Sequence, residues 1–87
     1  MLKVYYKDNC PYCVKAKEWL RNNGFDFEEI DVARDYPALD FLKSRSHRTV
    51  PQIYFGDRLV VEGGWMGLEK MTKVDLQLSI DRAVAGR

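Results

Sequence analysis

The chain has 87 residues, with 14 basic and 13 acidic side chains, one histidine and two cysteines, for a formal net charge of +1. That length gives one domain, residues 1–87, with a modest core, and a hydrophobic share of 46% belongs to a globular rather than a disordered chain. Balanced charge argues against a nucleic-acid surface or a polybasic membrane patch, and no apolar run approaches the roughly 20 residues of a membrane span.

Residues 2–6, Leu2-Lys3-Val4-Tyr5-Tyr6, read as a strand that begins without the layout of a secretory leader. The expected compartment is therefore the cytoplasm, where two closely spaced cysteines point to redox or metal chemistry rather than to a structural staple. Both cysteines lie in the next stretch, Cys10-Pro11-Tyr12-Cys13, which opens a helix predicted over residues 11–23. A capping residue followed by Pro at the first helical position is a sound start, and Asn22-Asn23-Gly24 is a stop. Cys13, Ala16 and Leu20 fall on one helical face, with Trp19 at its flank.

Residues 25–32 alternate apolar and charged side chains for part of their length, as a half-covered strand does. Asp35 then stands as a cap for a helix over residues 36–45, with Leu39 and Leu42 at helical spacing. Residues 52–55 and 58–61 form a hairpin around Gly56-Asp57. A final helix over residues 68–84 is expected to turn Leu68, Met71, Val74, Leu78 and Val84 inward. The order βαβαββα, with two links compatible with parallel strands, describes a small α/β sandwich of four strands in a mixed sheet and three helices.

The chemistry follows from where the first cysteine sits. A thiol at a helix N-terminus faces free backbone N–H groups and the positive end of the helix dipole, and both favour its thiolate. Lys7 adds a nearby cation. Cysteines in such surroundings titrate at roughly 3.5–7.5 instead of about 8.5, and the thiolate is the nucleophile. Cys10 is accordingly the attacking sulfur and Cys13 its resolving partner. That order of elements, with a dithiol between the first strand and first helix, suits a thioredoxin-like redox domain.

Four pieces in sequence carry a more specific likeness: Lys7 three residues before Cys10, the run Cys10-Pro11-Tyr12-Cys13, the run Thr49-Val50-Pro51-Gln52, and the pair Gly63-Gly64. Over nearly its whole length the chain resembles a dithiol glutaredoxin. The resemblance implies a glutathione-dependent thiol–disulfide oxidoreductase that acts as a monomer on disulfide-containing or glutathionylated proteins, with glutathione as co-substrate and no metal. It implies a cis Pro51, which turns the Val50 backbone toward the dithiol to hold the tripeptide like a short added strand. Lys7 and Arg48 would hold the glycine carboxylate, Tyr12 and Thr49 would border the groove, and Gly63 and Gly64 would let the ligand approach closely. Trp65 and Met66 would lie at its glutamyl end.

One departure stands out. The family usually places an aspartate just after the glycine pair, against the glutamyl ammonium. Here the positions are Trp65, Met66 and Gly67, and the nearest acid is Glu69.

Other readings stay open beside this one. The protein could be an electron donor to ribonucleotide reductase recycled by thioredoxin reductase, or a non-catalytic iron–sulfur carrier. The cysteines could be an inert pair or half a zinc site, though zinc needs two more ligands and His47 is the only histidine. His47 itself reads as a solvated loop residue, and Trp65 as either a rim contact or a packing residue.

Overall fold

The computed structural model describes residues 1–86. Strand β1 (Leu2–Tyr6) leads through helix α1 (Pro11–Asn22) to β2 (Phe27–Asp31), then through α2 (Tyr36–Ser44) to the hairpin β3 (Gln52–Phe55) and β4 (Arg58–Val61). Two helices close the fold, α3 (Gly64–Leu68) and α4 (Lys73–Ala85). The sheet order is β2-β1-β3-β4. β1 runs parallel to β2, while β3 is antiparallel to both β1 and β4. Of the two links compatible with parallel strands only the first joins parallel ones, which gives the mixed sheet expected from the sequence. The second returns through α2 and lays β3 antiparallel against the far side of β1.

Alternation along the central strands divides the core. Leu2, Val4, Ile53 and Val61 face one side, where they meet Ala16 and Leu20 of α1, Leu68 of α3, and Leu76, Ile80 and Ala83 of α4. Tyr5 and Tyr54 face the other side and meet Val32 and Leu42 under α2. The sandwich is thus three helices, a four-stranded mixed sheet, and one helix.

The helix ends are set locally. Gly24, at φ +78°, ends α1 in a conformation that costs a residue without a Cβ little, and Phe25 N–H closes back on the Leu20 carbonyl at 2.9 Å. That turn keeps Phe25 out of the sheet, so β2 begins at Phe27 instead of at 25. The Asp35 side chain accepts from Ala38 N–H at 3.0 Å and starts α2 as expected.

The C-terminal region differs from expectation. The single helix predicted over residues 68–84 is two, because Thr72 begins a new one. Its hydroxyl accepts from Asp75 N–H at 3.1 Å while the Asp75 carboxylate accepts from Thr72 N–H at 2.9 Å, a reciprocal cap. Restarting there shifts the phase of the helical face. Leu76, Ile80 and Ala83 point into the core, whereas Val74, Leu78 and Val84 lie on the surface, 65%, 48% and 50% exposed.

Candidate active site

Local sequence places the two sulfurs. Asn9 adopts a left-handed φ of +58°, which asparagine tolerates, and turns the chain from β1 into α1. Cys10 then caps α1 in an extended conformation, with Pro11 on the first turn. Its Sγ accepts the Cys13 backbone N–H at 3.2 Å, so one of the amides that the first turn leaves free points at the sulfur. The Val50 carbonyl lies 3.8 Å from the same Sγ. The Val50–Pro51 peptide bond is cis.

One turn further into the helix, Cys13 is 1% exposed. No disulfide joins the two cysteines in this structure. Burial first, then a hydrogen bond with Cys10, push the Cys13 thiol up to about 12, against the opposing pull of the Lys7 backbone N–H and, more weakly, of Lys17. Cys13 therefore holds its proton at neutral pH. The hydrogen bond with Cys10 is lost when Cys10 enters a mixed disulfide. Burial, the largest cause, remains when Cys10 has reacted.

Beside Cys10 opens a groove of about 750 Å³. It brings together four of the residues read from the sequence, Lys7, Arg48, Thr49 and Val50, on an apolar floor that includes Val32, Leu39 and Leu42. Tyr12, Pro51, Gly63, Gly64, Trp65 and Met66 do not line it. Tyr12 is exposed on the first turn of α1, with the Lys15 ammonium 5.9 Å from its ring centre. Gly64 is buried behind Pro51, and a Cβ there would stand 2.8 Å from the Pro51 carbonyl oxygen. Trp65 packs partly against the core, whereas Met66 is 49% exposed. A Cβ on Gly67 would collide with the Glu62 carbonyl oxygen, so no side chain fits there.

Two residues of the site were not given roles in the sequence. Gln52 is the one buried polar side chain among the described residues, and its amide donates to the Thr49 carbonyl at 3.0 Å, tying down the loop that carries Arg48 to Val50. A polar residue heading an apolar strand was a signal for it. His47 is no solvated loop residue. Its Nε2 is 2.6 Å from the Tyr54 hydroxyl, its ring stands edge-on to Tyr54, and it lines the groove. Nothing near position 47 announces that pairing, because it needs the chain to turn back along β3.

A buried, protonated thiol one helical turn from a capped, groove-facing sulfur, on this sheet order, defines a thioredoxin-fold dithiol oxidoreductase. The glutaredoxin family model matches residues 2–60, which take in Lys7, both cysteines and the Thr49–Val50–Pro51 loop. The chain belongs to the glutaredoxin family. It is 37% identical over 81 residues to a glutaredoxin of Pseudomonas aeruginosa, spanning 87% of this chain and 93% of that one. It is 35% identical over 69 residues to the hybrid peroxiredoxin hyPrx5 of Haemophilus influenzae, of whose length it spans only 28%. Among solved structures it superposes on the glutaredoxin-like NrdH-redoxin of Escherichia coli with a TM-score of 0.67 at 28% identity, covering 82% of this chain and 95% of that one. A buckwheat glutaredoxin–glutathione complex, 23% identical, shares the fold with a TM-score of 0.72, over 93% and 76% of the two chains. Among the described residues no helix is long and apolar enough to cross a membrane.

Proposed function

We propose that this thiol–disulfide oxidoreductase draws its electrons from glutathione in the cytoplasm and reduces protein disulfides and glutathione mixed disulfides. The observation that carries the reading is Cys10 Sγ, capped by the Cys13 N–H, opening on a groove with the Val50 backbone and the cations of Lys7 and Arg48. An extended tripeptide with carboxylates suits that combination of backbone groups and positive charge. Likeness to the Pseudomonas glutaredoxin over 93% of its length supports it.

With a glutathionylated protein, the Cys10 thiolate attacks the glutathione sulfur. The protein leaves as a thiolate, and glutathione remains on Cys10. A second glutathione thiolate takes that group as glutathione disulfide and restores Cys10. With a protein disulfide, Cys10 forms the mixed disulfide. Cys13 then loses its proton and displaces the substrate, closing the Cys10–Cys13 disulfide, which two glutathiones reduce. The first path needs only Cys10, and the second needs both.

A glutathione-coupled turnover assay tests the reading. Cys10→Ser is expected to be inactive on every substrate, while Cys13→Ser retains deglutathionylation and loses reduction of protein disulfides. Wild-type turnover with thioredoxin reductase and none with glutathione would overturn it. That outcome is the second reading, an electron donor to ribonucleotide reductase, which the NrdH likeness and the absence of an acid at 65–67 favour.

A further inference from the structure

The groove is more basic than the chain that builds it. Of its twelve lining residues three are cations, Lys7, Lys43 and Arg48, and none is an acid. All three are exposed, and among the described residues none forms an ion pair; those that form use Lys17, Arg21 and Arg34. Asp8, beside Lys7, turns instead toward Arg34 at 3.8 Å. A second, open concavity on the outer edge of β2 differs in kind: Glu28, Glu29, Asp31 and Asp35 line it together with Arg34, and Glu29 and Asp31 are ion-paired with Lys17, Arg21 and Arg34.

The position of Lys43 gives this charge a direction. Lys7 and Arg48 line the groove from the loops before α1 and β3, whereas Lys43 lines it from the last turn of α2, a third cation to which glutathione binding assigns no role. Leu39 and Leu42 of the same helix, with Val32, supply an apolar floor beneath it.

We propose that the α2 side of the groove binds an acidic segment flanking the reactive cysteine of the protein substrate. This rests on the reading of the protein as a reductase of protein disulfides. The segment lies along α2, its carboxylates against Lys43 and Arg48 and its apolar side chains over Leu39 and Leu42, while its cysteine meets Cys10. Such complementarity acts chiefly on the rate of encounter and is weakened by salt.

Single-turnover reduction of synthetic peptide disulfides tests it without glutathione. Three peptides share a central cysteine, flanked by glutamates, by serines or by lysines, and each is offered as its homodisulfide to excess reduced protein. Each reaction consumes one Cys10/Cys13 dithiol and yields two peptide thiols and the protein disulfide. The acidic disulfide is expected to react about tenfold faster than the serine one at low ionic strength, with the ratio collapsing in 0.5 M salt. In Lys43→Gln the ratio falls severalfold, and in Lys43→Glu it falls further. Equal rates for the acidic and serine peptides, or a ratio untouched by both substitutions, would overturn the proposal. Failure to turn over with glutathione would instead count against the recycling reading and leave this ratio measurable.

Discussion

At the residue scale the two sulfurs are chemically unequal although three positions apart. Cys10 is partly exposed at a helix cap, and Cys13 is buried with its titration pushed up to about 12. One equivalent of iodoacetamide at pH 7 is therefore expected to label Cys10 alone, and peptide mapping checks it; substantial labelling of Cys13 would contradict the burial. The same shift links stability to pH. The folded state holds a proton on Cys13 that the unfolded chain releases near the ordinary thiol value, so this contribution is complete below about pH 8.5 and fades as pH climbs toward 12. Thermal melts between pH 8 and 11 should show a shallower alkaline decline in Cys13→Ala than in wild type. A decline remains, because burial also raises Tyr5 and Tyr54. Met66 is the third telling residue. It is exposed where Gly67 can bear no side chain, so Met66→Asp can supply the missing carboxylate without disturbing packing. The KM for glutathione is expected to fall about fivefold, the equivalent of roughly 1 kcal/mol for an exposed charge pair. An unchanged KM would remove this account of the gap.

At the element scale the close of the fold is where substitutions should separate most sharply. Gly67→Ala forces a Cβ into the Glu62 backbone and should destabilise by about 3 kcal/mol in chemical denaturation. Leu76→Ala leaves a hole in the main core and should cost about 2–5 kcal/mol, whereas Leu78→Ala on the outer face should fall within about 0.5 kcal/mol of wild type. This is also the region the sequence described least well. Apolar residues at 68, 71, 74 and 78 fit one continuous helical face, and only the reciprocal hydrogen bonds of Thr72 and Asp75 restart the count. By contrast α1, α2 and the hairpin were legible because each carries its own punctuation: Cys10-Pro11 and Gly24, Asp35, and Gly56-Asp57. The dithiol was legible for the same reason, being local. The antiparallel placement of β3 and the His47–Tyr54 pair were not, since both are settled by how distant segments meet.

At the scale of the whole molecule the sheet is covered unequally. Helices α1, α3 and α4 bury six side chains against one face, while α2 covers the other with Leu42 alone fully buried. Native-state hydrogen exchange should find α2 opening at lower free energy than α1 or α4, and a ligand seated in the groove should slow it, because Leu39, Leu42 and Lys43 of α2 line that groove. Uniform protection across all helices would contradict this. Of the two thiols, moreover, solvent reaches only that of Cys10. A peroxide that reaches it converts Cys10 to a sulfenic acid, and the sheltered neighbour, still carrying its hydrogen, condenses with that acid to expel water and close a disulfide. Damage that would run on irreversibly at a lone cysteine is thereby diverted into an ordinary intermediate of the working cycle.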